Sequence, residues 1–103
     1  MKPDLMMELE GGPKDLVVGT SYSNRLVWRI KANHLPFPFR KRVKEYFYSS
    51  PDQQLIRGIV VIDLDRSEAV PSITAGGIGF PYVNIKLKSA RGTGLNYQLE
   101  VYN

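Results

Sequence analysis

Arg40, Lys41, Arg42 and Lys44 crowd into one short run, with Phe37, Phe39, Tyr46, Phe47 and Tyr48 around them. Cations interleaved with aromatic rings can hold a phosphate backbone while the rings stack on bases. The run also has the look of a short nuclear-import signal or a partner contact. The plainer reading is a solvated strand face whose cations discourage pairing at a sheet edge. That reading outweighs the functional one, because short basic runs arise often by chance. Lys86, Lys88 and Arg91 would extend the basic surface if their strands lay alongside.

Other reactive groups are few. His34 is the single histidine and there is no cysteine. A nucleophilic triad needs an imidazole beside a serine and a carboxylate, and a lone histidine in a proline-containing loop reads as a surface residue. A zinc site would have to draw on several carboxylates besides it, so neither a metal nor a cofactor is expected. Asp63 and Asp65, two apart at a strand end, have the residue types of an acid–base pair or a calcium site. Without the further oxygen ligands of a calcium loop, and with Arg66 alongside, they read as a turn cap. Gly76-Gly77-Ile78-Gly79 is only superficially a phosphate loop. A strand follows it where a dinucleotide fingerprint needs a helix, so the glycines suit a hairpin turn or bulge with positive φ. Every catalytic constellation fails on residue supply or context, and an enzyme is the least supported class.

The elements that must position these residues are strands. Leu26, Trp28 and Ile30 alternate with charged or smaller neighbours, which marks a strand with one wet face. Gly19-Thr20-Ser21 splits the 16–31 stretch or places a bulge in it. Pro36 and Pro38 fix an extended connecting loop. Residues 41–48 follow as a strand with Val43 inside and Arg42 and Lys44 outside. Leu55 to Ile62 is apolar at nearly every position, as suits a central strand covered on both faces. A short strand through Ile73 and Thr74 precedes two clear ones. Val83, Ile85 and Leu87 alternate with Asn84, Lys86 and Lys88, and Leu95, Tyr97, Leu99 and Val101 alternate with Asn96, Gln98 and Glu100. Arg91-Gly92-Thr93-Gly94 between them predicts a hairpin. The chain is therefore read as all-β, a single small antiparallel β-sandwich or barrel of about six to seven strands.

Size and charge agree with this. The 103 residues suit one domain, with 1–14 as a flexible N-terminal segment broken by Gly11-Gly12-Pro13 and 15–103 as the β-domain. The net charge of +4 attracts acidic proteins, anionic surfaces or nucleic acid at low salt, but the clustering falls short of a committed nucleic-acid binder. No run approaches the ~20 apolar residues of a membrane-spanning helix. The start, Met1 to Met7, lacks the apolar core of a signal peptide. Either the protein is not exported or the numbering begins after a removed signal. An uncovered edge strand leaves a homo-oligomer open.

The C-terminal third carries a resemblance. Ile73 to Gly79 with its Gly-Gly-x-Gly turn, the strand ending Lys88-Ser89-Ala90-Arg91-Gly92-Thr93-Gly94, and the close at Tyr97 to Tyr102 are similar to the insect multiprotein bridging factor two family. Val18-Gly19 and the 59–63 strand ending in aspartate fit as well, so the resemblance covers about residues 16–103. Ser67 to Pro71 stands where relatives tend to carry a glycine pair, and Ala90 where they tend to carry glutamine. Two functions are implied. One is a secreted protein of insect defence, gut response or saliva that binds a protein partner, and this is the expected reading. The alternative is an intracellular, nuclear coactivator bridging a DNA-bound regulator and the general transcription machinery, without base-specific DNA contact. Neither brings a catalytic residue. Gly76, Gly77, Gly79, Ser89, Arg91, Gly92 and Gly94 are expected to shape turns.

Overall fold

The computed structural model describes residues 15–65 and 67–103, and the expected lead-in over 1–14 lies outside them. Alternating side chains produce seven strands and no helix among the described residues: β1 (Leu16–Gly19), β2 (Leu26–His34), β3 (Val43–Ser49), β4 (Gly58–Asp63), β5 (Val70–Gly76), β6 (Tyr82–Lys88) and β7 (Leu95–Tyr102). They form two antiparallel sheets, one ordered β1-β4-β7-β2 and the other β3-β6-β5. The sheets face one another across a shared core and do not close into a barrel. Ile59, Val61, Leu99 and Val101 come from the larger sheet and Val83, Ile85 and Leu87 from the smaller, all fully buried. Each such side chain contributes about 1.5–3 kcal/mol on leaving water. Trp28 of β2 packs on Tyr48 of β3 with ring centroids 5.5 Å apart, which closes one long side of the sandwich.

The strand directions sort the connections into two ends. At one end lie the β2–β3, β4–β5 and β6–β7 connections, each passing from one sheet to the other. At the opposite end lie the β1–β2 loop, the β3–β4 crossing, the β5–β6 hairpin and the C-terminal Tyr102 and Asn103.

Three expectations are corrected. The hairpin expected between residues 83–88 and 95–101 does not form, because β6 pairs with β3 and β5 while β7 pairs with β2 and β4. The glycine-rich segment reverses the chain by crossing between sheets. Val43, expected inside, is 46% exposed. Both faces of the 41–48 stretch carry apolar side chains, and the face with Tyr46 and Tyr48 goes inward because His34 and Trp28 are there to receive it. β4 lies between β1 and β7, as a central strand should, yet only one of its faces is covered. Ile59 and Val61 are buried, whereas Val60 and Ile62 are half-buried on the outer face, in register with Glu100 and Gln98.

Polar groups near the core are mostly matched. The Asp63 carboxylate accepts from the amides of Asp65 (3.1 Å) and Ser67 (2.8 Å) and from the Ser67 hydroxyl (2.7 Å), a turn cap as its position suggested. On the outer face Glu100 accepts from Tyr102 (2.7 Å), Gln98 (2.8 Å) and Arg29 (3.1 Å). Burial raises its pKa, but these donors outweigh that and hold it below the ordinary glutamate value. Its contribution to stability is thus present above that value and lost as the pH falls through the lower one. The Tyr97 hydroxyl is different. It is buried with no hydrogen-bond partner among the described residues, and burial first, then the Asp63 and Asp15 charges, push its ionisation up. Replacing Tyr97 by Phe removes an unsatisfied buried group, and a stabilisation of about 1 kcal/mol is expected, read as a Tm rise of roughly 4–8 °C. A lower Tm would show that the hydroxyl is satisfied in solution.

Candidate functional site

Residues 35–42 join the two sheets and carry most of the basic run. Within Phe37-Pro38-Phe39-Arg40 the Arg40 amide donates to the Phe37 carbonyl at 3.2 Å. Proline occupies the first central position, and the second, Phe39, has φ 63°. That is type II turn geometry, which ordinarily places glycine where this chain has phenylalanine. A side chain held there costs on the order of 1–3 kcal/mol and persists only if its surroundings impose it.

The crossing from β6 to β7 imposes it. The Ser89 amide donates to the Arg42 carbonyl at 2.8 Å, and the Arg42 amide donates to Ser89 Oγ at 2.7 Å. The Gly92 amide donates to the Arg40 carbonyl at 2.8 Å, and Arg91 Nη1 donates to the Phe39 carbonyl at 2.7 Å. Thr93 closes its own turn onto the Ala90 carbonyl through amide (3.2 Å) and hydroxyl (3.0 Å). Gly94 passes so close to β2 that a Cβ on it would sit 2.2 Å from the His34 carbonyl oxygen. Ser89, Arg91, Gly92 and Gly94 therefore all bear on residues 34–42, a role invisible in the sequence because the two segments lie about fifty positions apart.

The loop so held presents an apolar and cationic surface. Leu35 is 80% exposed, Phe39 81% and Phe37 50%. Arg40 and Lys41 are exposed, while Arg42 and Lys44 are half-buried. The Arg42 guanidinium lies 4.0 Å above the centre of the Phe37 ring, within cation–π range. Next to it His34 Nε2 and the Tyr46 hydroxyl are hydrogen-bonded across the two sheets. Burial lowers the His34 pKa, and the charges of Lys44 and Arg42 lower it further, which places the imidazole in the field of this cluster. Lys88 is the register partner of Val43, so it and Arg91 extend the positive surface, while Lys86 lies further along β6 opposite Glu45.

The glycines of the 76–79 turn are at the far end, whereas Asp63 closes β4 and Asp65 follows it, at the same end as the loop. Gly76, Gly77 and Gly79 all have positive φ in the β5–β6 hairpin. The Gly77 amide donates to the Tyr82 carbonyl and the Gly79 amide to the Ile56 carbonyl, both at 2.9 Å. This turn helps to line a shallow cleft of about 530 Å³ with Tyr22, Leu55 and Arg57. The basic run and the 76–79 glycines thus lie at opposite ends, and exposed aromatics accompany both, Phe37 and Phe39 the basic run and Tyr22 and Phe80 the glycine turn. Leu35 was passed over as connecting loop. Its signal was an apolar residue inside a proline-punctuated stretch with no strand period to bury it.

A family model described as transcription activator MBF2 matches residues 18–103. The chain belongs to the MBF2 family. The match spans both glycine groups and the basic run, in keeping with the resemblance seen in the C-terminal third. No curated protein and no solved structure gives a significant match. Among the described residues of this MBF2 chain, no set of three or more His, Cys, Asp and Glu side chains could hold a metal ion, and no helix is long and apolar enough to cross a membrane.

Two glycine substitutions separate close approach from positive φ. Gly94→Ala drives a Cβ into the β2 backbone and is expected to cost more than about 2 kcal/mol. Gly79→Ala has open space around it and costs roughly 1–2 kcal/mol for the left-handed backbone alone. Urea denaturation of both variants ranks them, and an equal or reversed order would contradict the close contact at Gly94.

Proposed function

We propose that this MBF2 chain is a non-enzymatic coactivator of transcription that works in the nucleus by contacting other proteins, with residues 35–44 as a contact surface. The observation that carries the proposal is the family match over 18–103, whose description is a transcription activator. The surface that would do the work is the constrained loop with Arg40, Lys41, Arg42 and Lys44 around exposed Leu35 and Phe39. Its cations favour an anionic partner and its apolar side chains supply contact area, and phenylalanine and arginine are among the residue types enriched at protein interfaces. The family description implies protein partners, and the proposal includes no reading of DNA bases. A non-enzymatic role is supported by the setting of His34, whose hydrogen-bond partner is the Tyr46 hydroxyl and not a serine–carboxylate pair.

A secreted role in defence, gut response or saliva is the other branch that the resemblance opened. Neither the fold nor the family match supports it.

The test has two arms. Fused to a heterologous DNA-binding domain, the chain should raise reporter transcription. The double variant Arg40→Glu/Lys41→Glu, altered only at exposed side chains, should lose about tenfold, equivalent to ~1.4 kcal/mol of partner binding. The natural protein should be recovered from nuclei. No activation, together with recovery from the extracellular fraction alone, would overturn the proposal in favour of the secreted role.

A further inference from the structure

The loop carries two chemistries at once, and few ligands satisfy both. Every charged side chain from Leu35 to Lys44 is a cation. The first carboxylate beyond them, Glu45, accepts from the Asn84 side-chain amide at 2.8 Å on the outer face of the smaller sheet. Leu35 and Phe39 nevertheless stand 80% and 81% exposed among those charges. An acidic ligand without apolar side chains would leave these two in water. An apolar ligand without carboxylates would strip water from the cations and give nothing in exchange. Nucleic acid fits less well. Phe37 already has the Arg42 guanidinium over its ring at 4.0 Å, and leucine offers no face on which a base could stack. Phe39 is left as the single free ring of the loop, where successive bases need several.

We infer that the segment received by this loop is an acidic protein stretch interspersed with aliphatic or aromatic side chains, its apolar groups resting on Leu35 and Phe39 and its carboxylates on Arg40, Lys41 and Lys44. This rests on the coactivator reading and names the partner class for its contact surface. The pinning of Phe39 and Arg40 by Arg91 and Gly92 means that the receiving surface loses little conformational freedom on binding. Preorganisation of that kind strengthens binding without added contacts.

Phe39 offers a clean substitution. Its φ of 63° is one that glycine adopts freely, so Phe39→Gly deletes the apolar anchor while relieving the backbone. The full chain is titrated with a fluorescein-labelled synthetic peptide alternating Asp or Glu with Leu or Phe, and with a control in which serine replaces Leu and Phe. The first should bind at least tenfold more tightly than the control. Phe39→Gly should lose about tenfold with an unchanged salt slope and no fall in Tm. Arg40→Glu/Lys41→Glu should lose as much and flatten the salt dependence, because screening acts on the charge contacts alone. Equal binding of the two peptides would overturn the inference. So would tighter binding to phosphatidylserine vesicles or to single-stranded oligothymidylate than to the peptide. A responsive reporter without peptide binding sinks this inference and leaves the coactivator reading standing. Peptide binding with a silent reporter upholds the surface chemistry and removes that reading.

Discussion

Two hydrogen bonds between Ser89 and Arg42 hold together the parts of the molecule that matter most. They join the end of the smaller sheet to the start of its own edge strand, at the point where the chain leaves for the other sheet. Once they form, the six residues from Ser89 to Gly94 have little freedom. Arg91 reaches the Phe39 carbonyl, Gly92 reaches Arg40, and Gly94 slides against the His34 backbone. A loop that sequence alone would leave loose becomes a fixed platform. The same crossing carries β7 into the larger sheet, where Tyr97, Leu99 and Val101 complete the core. Fold and surface therefore share one support, and a change that frees the crossing should be felt in both.

The platform makes sense of the unusual backbone at Phe39. A left-handed phenylalanine at the exposed tip of a turn is unfavourable both for its φ and for its wet ring. Neighbouring strands gain nothing from it, since 81% of the residue is in solvent. The strain is held in place by the hydrogen bonds that Arg91 and Gly92 make to this turn. Arg42 shows the complementary arrangement. Its backbone is held by Ser89 while its guanidinium covers Phe37, so its charge is kept over an aromatic face instead of sweeping free.

Much of this could be read from residue order. Val83 to Lys88 and Leu95 to Val101 alternate so regularly that their inward and outward faces were evident, and Asp63 stood where a turn cap belongs. Pairing could not be read the same way. A turn between two strands shows that the chain reverses, but both edges of β6 were taken by β5 and β3 and both edges of β7 by β4 and β2, so the expected hairpin did not form. Val43 misled for a related reason. Period two gives two faces, and which one turns inward was decided by Trp28 and His34 on the opposite sheet. At the site, the cations were legible by type and the glycines by the turns they imply. The contact between the 89–94 crossing and the 39–42 loop was not, because hydrogen bonds to backbone carbonyls leave no pattern in side-chain order. Recognition of the family came from the C-terminal third, whose motif reaches across the end of the sandwich to hold the loop.

The central claim is that the crossing holds the 39–42 loop in a single conformation before any partner arrives. Amide hydrogen exchange of the free protein tests it most directly, because the Arg42, Ser89 and Gly92 amides are each assigned an acceptor within 2.8 Å. The account predicts that these three exchange as slowly as amides in the middle of β6 and β7, opening only with larger unfolding. Exchange near the rate of an unstructured peptide at Arg42 and Gly92, beside protected strands, would contradict it and return the loop to an ordinary mobile connection.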